Sequence, residues 1–276
     1  MSLPDDMQRI ALGVEYDGGD FHGFQIQQSA SDTIQQSLHQ ALSSIADETI
    51  TVVCAGRTDA GVHATEQIVH FDTLAERPLK AWSLGVNARL PPGICVRWAQ
   101  VIGPDFHARF SALSRRYRYL ILNRPTRPAL YGKQITWFKR PLQFERMAEA
   151  ASCLVGEHDF SALRAAQCQA RSPVRTIQHV HLAQWGDLIA LDVQANAFLH
   201  HMVRNIAGCL LAIGAGDKPV DWLSSVLASR DRTQAAATAP PYGLYLVNVG
   251  YPQVFQLPQH VLGPLLLPAD LQWHRC

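Results

Sequence analysis

The chain has 276 residues, 47% of them hydrophobic, and 24 Lys plus Arg stand against 23 Asp plus Glu for a formal charge of +1. That excludes a disordered, collagen-like or extremely charged protein, and the length suits one large domain or two ordinary ones, two being the expectation. No stretch approaches the roughly 18–20 uninterrupted apolar residues of a membrane helix, and Asp5 and Asp6 stand where a secretory signal carries positive charge, so a soluble, cytoplasmic protein without membrane contact is expected.

In chain order, Ile10, Leu12 and Val14 alternate with smaller residues before Tyr16-Asp17-Gly18-Gly19-Asp20, a strand running into a loop. Asp32 can cap a helix whose Ile34, Leu38, Ala41, Leu42 and Ile45 share one face. A strand at 51–54 leads into the segment 55–64, followed by a strand at 67–71, a helix at 79–88 and a strand at 94–101. A similar order begins again with a strand at 116–122, a helix at about 143–154, and a hairpin near Trp185-Gly186-Asp187. Ile189, Leu191 and Val193 then alternate as a half-buried strand does. Helices at 199–213 and 222–228 and a strand at 245–249 complete the pattern, and the four prolines from 252 onward predict an extended tail. The whole predicts an α+β protein, with helices on one face of mainly antiparallel sheets, divided into 1–105, 106–250 and a tail at 251–276.

Charge is uneven along the chain. Residues 1–105 sum to −7, 106–144 to +9 and 145–276 to −1. The middle block contains Arg109, Arg115, Arg116, Arg118, Arg124, Arg127, Lys133, Lys139 and Arg140 without one acid. It suits a polyanionic partner, or else is a solvated strand and loop of dispersed charge. Arginine outnumbers lysine 20 to 4, and guanidinium suits phosphate contacts and stacking on bases. The six cysteines are scattered without a Cys-x-x-Cys pair, which predicts reduced thiols.

The segment Ala55-Gly56-Arg57-Thr58-Asp59-Ala60-Gly61-Val62-His63-Ala64 holds a carboxylate between two glycine-bearing turns directly after an apolar strand. Rigid scaffolds present reactive groups on such loops. Asp59 is therefore either a catalytic carboxylate or a turn residue whose side chain binds its own backbone.

This segment resembles the Gly-Arg-Thr-Asp-x-Gly-Val-His-Ala signature of the tRNA pseudouridine synthases of the TruA family. Tyr16-Asp17-Gly18 with Gly23-Phe24-Gln25-Ile26-Gln27 is similar to the family's N-terminal loop. The runs 106–112 and 116–119 resemble its second motif, 198–205 with Gly208 its third, and 243–246 its C-terminal one. The similarity runs in family order from about residue 9 to 250.

The resemblance implies the pseudouridine synthase fold, with two similar subdomains and a basic active-site cleft between them. It also implies isomerisation of uridine to pseudouridine at positions 38, 39 and 40 of the tRNA anticodon stem-loop, by a homodimer. Carried over by position, Asp59 is the essential carboxylate, acting as nucleophile or by removing a sugar proton. Tyr117 stacks on the target uracil, Arg204 pairs with Asp59, Leu246 lines the uracil pocket and Arg57 helps displace the base. Arg109, Arg115 and Arg116, from the basic block, complete the substrate-binding set.

Read without the resemblance, Tyr117 and Tyr119 are two half-buried sheet aromatics, Arg57 is a salt-bridging residue and Leu246 is a packing residue. Arg204, in an apolar helix, calls for a carboxylate partner. The chain departs from the family pattern at Phe24, where Trp is common, and at Glu66, where Gly is expected and a carboxylate would add negative charge near an RNA path. The pairs His179 with His181 and His200 with His201 lack metal-site spacing. No metal and no cofactor are expected of a redox-neutral isomerisation. Two rivals are an inactive RNA-binding or RNA-folding module on the same scaffold and a glycosidase acting on free nucleosides.

Overall fold

A computed structural model describes residues 6–27, 32–268 and 271–276; Asp5 and positions 269 and 270 of the tail lie outside them. The chain divides into two compact units, 1–113 with 246–264 and 114–245 with 265–276. The architecture is mixed α and β, with mainly antiparallel strands and few helices.

In the first unit, β1 (Gln8–Tyr16) is followed by α1 (Ile34–Ala46), β2 (Val53–Cys54), β3 (His63–Thr73) and β4 (Ile94–Ile102). Strand β1 lies between β3 and β4, with Leu12 opposite Val69 and Ala99, and β2 pairs with β3 at Val53–His70 and Cys54–Val69. Strand β1 is buried at Ile10, Leu12 and Val14, and α1 buries Ile34, Leu38, Ala41, Leu42 and Ala46. The cap of α1 is Thr33, whose side chain accepts from the Gln36 amide, so the cap falls one residue later than the expected Asp32. Residues 79–87 are helical as expected, with a π segment at Ala81–Gly85.

In the second unit, β5 (Ser114–Asn123), β6 (Thr136–Phe138), α2 (Phe144–Ala151), β7 (Gly156–Asp159), β8 (Val174–Trp185) and β9 (Leu188–Ala195) precede α3 (Met202–Gly214) and α4 (Trp222–Ser229). Strand β9 joins β5 and β8, with Val193 opposite both Tyr117 and Val180. The β8–β9 hairpin turns at Gly186, whose φ of 55° a side chain would resist. Helix α3 begins later than the periodicity predicts because His201 sits in the left-handed region at φ 62°, which ends any helical run from Leu199. It packs against α2 and β5 and buries Met202, Val203, Ile206, Leu210 and Ile213.

Strand β10 (Leu244–Gly250) carries the chain from the second unit back to the first. Beyond it, Tyr251 and Phe255 each set a ring 5.1 Å from that of buried Phe106 in the first unit. The last strand, β11 (His274–Arg275), pairs with β8 in the second unit.

One close approach in the first unit admits only glycine. A Cβ on Gly18 would lie 1.9 Å from the Val62 carbonyl oxygen, a backbone atom that cannot rotate away. Gly18→Ala should therefore destabilise the protein by about 1–3 kcal/mol through overpacking. Gly103→Ala, where a Cβ meets nothing within 4 Å, should stay within about 0.5 kcal/mol of wild type. Urea unfolding of the two variants side by side checks this.

Candidate active site

The Asp59 loop joins β2 to β3 and is held from both ends. Gly61 takes a left-handed φ of 77°, and the Val62 amide donates to the Asp59 carbonyl at 3.1 Å, closing the turn. The buried Gln67 side chain on β3 donates to the Gly56 carbonyl at 2.6 Å, and accepts from the Gly56 amide at 3.4 Å. The same Gln67 amide donates to the Tyr16 hydroxyl at 3.4 Å, and that hydroxyl shares a 2.7 Å hydrogen bond with Thr58 Oγ1. Residues 56 and 58 are thus fixed by one buried polar chain, which brackets the exposed Arg57 and sets the backbone that carries half-buried Asp59.

The N-terminal loop closes over this turn. Gly23, at φ 87°, brings its backbone so near that a Cβ would stand 2.9 Å from the Thr58 carbonyl oxygen. The next amide, Phe24, donates to that oxygen at 3.0 Å. The Gly18 amide donates to His63 Nδ1 at 3.0 Å. Phe24 itself is fully buried, tilted against Tyr16 at 6.2 Å, so the site uses this ring for packing. The motif at 16–27 therefore acts through its backbone as a clamp on the Asp59 loop.

The Glu66 side chain is buried. Its carboxylate accepts from Trp98 Nε1 at 2.8 Å and from Arg97 at 3.0 Å. Burial raises its pKa, opposed by those two partners. The indole reaches it across Gly13, where a Cβ would meet Trp98 at 2.1 Å.

The run 106–112 is fastened to β3. His70 Nδ1 accepts from the Ala108 amide at 3.1 Å, and Tyr251 donates to the Ala108 carbonyl at 2.5 Å. Arg109 is exposed, and both it and Arg57 act electrostatically on Cys54 of β2, whose thiol burial pushes up to about 11. Leu246, on β10, is fully buried. All six cysteines are free thiols.

In the second unit, Tyr117 and Tyr119 share one face of β5, as their spacing predicts. Tyr119 is structural: its hydroxyl shares a 2.7 Å hydrogen bond with Thr136 and donates to the Pro240 carbonyl at 2.8 Å, and burial raises its pKa. Tyr117 stands edge-on to Phe198 at 5.0 Å.

The opposite face of β5 carries Arg116 and Arg118, and both meet Asp192 of β9, a residue the sequence pattern did not single out. Arg116 binds it through two hydrogen bonds of 2.7 and 3.0 Å, Arg118 through one of 2.7 Å, and His179 through one of 2.8 Å. Burial acts to raise the Asp192 pKa, yet these hydrogen bonds and the charge of Arg116 hold it well below the usual carboxylate range. Arg115 donates to the Asn196 carbonyl at 3.2 Å.

Arg204, in the first turn of α3, is half-buried and donates through Nε to the Ala239 carbonyl at 2.9 Å. Its neighbour Asn205, fully buried, donates to Leu163 and accepts from Thr238 and Arg232. Gly208 admits the same segment, since a Cβ there would lie 2.1 Å from the Ala237 carbonyl oxygen. The segment that orients Arg204 is thus seated by Asn205 and Gly208.

Burial lowers the His70 pKa from 6.5 to about 4, aided by the charge of Arg9. Between these values the unfolded chain takes the proton first, so the stability this neutral ring contributes is complete above about pH 7. It is lost as pH falls towards 4, by roughly 3 kcal/mol in all. Urea unfolding from pH 7 to 4 should show a smaller decline in His70→Gln than in wild type.

The family model described as tRNA pseudouridine synthase matches residues 13–111 and 150–252. A protein of Pseudomonas aeruginosa named tRNA pseudouridine synthase A is 57% identical over 261 residues, 95% of this chain and 92% of its own. Proteins of the same name from Alcanivorax borkumensis and Escherichia fergusonii are 56% and 54% identical, over 96% and 94% of this chain and 100% and 96% of their own. With similarity of this extent, and with its matched segments building the clamped carboxylate loop, the chain belongs to the tRNA pseudouridine synthase family.

Proposed function

We propose that this protein isomerises uridine to pseudouridine in tRNA, at positions 38, 39 and 40 of the anticodon stem-loop. The observation that carries the reading is Asp59, held on an immobilised turn in a chain similar along nearly its whole length to proteins named for this reaction. In the reaction the bond between uracil N1 and the sugar C1′ breaks, the base rotates, and C5 bonds to C1′. N1 gains a proton and C5 loses one, so no electrons enter or leave and no metal or cofactor is required.

Asp59 acts either on the sugar or base as nucleophile or on a sugar proton as base, and both roles need the ionised form. On the family resemblance, Arg204 pairs with Asp59 and fixes the direction of its carboxylate. Tyr117 stacks on the extruded uracil and assists removal of its C5 proton; extrusion from a stem costs a few kcal/mol, which stacking offsets. Leu246 bounds the base pocket, Arg57 helps displace the base, and Arg109 and Arg115 meet phosphates. Arg116, held by Asp192, offers the backbone a guanidinium of fixed direction. The N-terminal part supplies the carboxylate and the C-terminal part the ring and the pairing arginine. A homodimer in the cytoplasm is part of this reading, on the family resemblance. Among the described residues no helix is long and apolar enough to cross a membrane.

Incubating an unmodified tRNA that carries uridines at 38 to 40 with wild-type protein, followed by pseudouridine mapping, should show conversion there and nowhere else. Asp59→Ala should abolish conversion and leave tRNA affinity within a few-fold, since phosphate contacts dominate affinity. Residual turnover by Asp59→Ala above about a thousandth of the wild-type rate would contradict the role given to Asp59.

A further inference from the structure

On the exposed side of the first unit, four rings form a row from the core to solvent. Phe106 is fully buried, with its centroid 6.0 Å from His70; His70 lies 4.9 Å from His107; and His107 stacks on Phe110 at 4.3 Å with 29° between planes. Phe110 ends the row with 77% of its surface exposed.

A single exposed phenyl is ordinary on a protein surface. This one is held rigidly. The Arg109 and Phe110 amides both donate to His107 Nδ1 at 3.1 Å, which requires that nitrogen to be unprotonated, and burial with the Arg9 charge lowers the His107 pKa accordingly. The His107 amide donates to Ser111 Oγ at 3.0 Å and the Ser111 amide to the His107 carbonyl at 2.9 Å, closing the turn on itself. Arg9 donates to the Phe106 carbonyl at 2.6 Å. A ring fixed this firmly loses little entropy on binding.

The surroundings select the occupant. The Arg109 guanidinium lies 5.6 Å from the Phe110 centroid, and Arg109 and Arg57 both act on Cys54, at the end of β2 that enters the Asp59 loop. An exposed aromatic face backed by an imidazole and flanked by a guanidinium fits a base with its phosphate, because stacking tolerates any base while the guanidinium takes the charge.

We propose that Phe110, backed by His107 and flanked by Arg109, is a stacking platform for an unpaired nucleobase of the RNA substrate, separate from the ring that holds the target uracil. This rests on tRNA being the substrate.

The test measures the Kd of wild type, Phe110→Leu, Phe110→Tyr and Arg109→Ala for one unmodified tRNA across a salt series. Phe110→Leu should weaken binding about tenfold, as loss of one base–aromatic stack does, with the salt slope unchanged, and Phe110→Tyr should bind like wild type. Arg109→Ala should weaken binding and flatten the slope. Wild-type affinity in Phe110→Leu would overturn the platform, as would equal losses in the Leu and Tyr variants. A changed sedimentation coefficient of free Phe110→Leu would overturn it too, by showing that the ring covers a second copy of the chain. Pseudouridine formation by wild type on the same tRNA tests the functional reading separately, and the binding comparison decides on Phe110 whatever that result.

Discussion

The arrangement of the candidate site depends on two backbones lying in direct contact. Gly18 against Val62 and Gly23 against Thr58 leave no room for a Cβ, so the N-terminal loop and the Asp59 loop meet as main chain on main chain. Such an approach would strand peptide groups away from water unless each found a partner. The amides of Gly18, Phe24 and Val62 and the carbonyls of Gly56, Thr58 and Asp59 all find one. Gln67, reaching from the adjacent strand, joins the two loops through Tyr16 and Thr58. A surface loop is ordinarily the least ordered part of a fold; here those backbone groups are paired within the protein itself. Ordering a carboxylate in advance is one way an enzyme reduces the reorganisation needed in the transition state.

The second unit solves a different problem, that of concentrating positive charge without unfolding. Arg116 and Arg118 lie on one face of β5, where mutual repulsion would cost stability, and Asp192 from the next strand separates and neutralises them in part. Arg140 likewise pairs with Asp217. The acid-free block of the sequence is therefore compensated locally by acids far along the chain, so the field it projects is weaker than the +9 of its side chains. A buried carboxylate facing two guanidinium groups and an imidazole serves to orient them more than to stabilise the fold outright.

The strands and most helices were legible because burial imposes a period. Alternation marked Ile10 to Val14 and Ile189 to Val193, and the 3.6-residue period marked α1. Boundaries set by backbone conformation were less so: His201 in the left-handed region delays α3, and Thr33 takes the cap that Asp32 could equally have supplied. Asp59 stood out because glycines flank it within a few residues. Gln67 and Asp192 did not, since each acts on partners brought close only by strand pairing. The burial of Glu66 was not legible either, because nothing local reveals that Trp98 reaches it across Gly13. Phe110 was read only as part of a motif; its exposure depends on the ring row beneath it.

On this packing the Asp59 loop is ordered in the free protein. Amide hydrogen exchange at Gly18, Phe24 and Val62, measured without RNA, tests it most directly. Protection should be comparable to that of the paired amides of β1 and β3, with little further slowing when tRNA is added. Exchange near random-coil rates in the free protein, slowing only in the complex, would contradict it and make substrate the agent that orders the site.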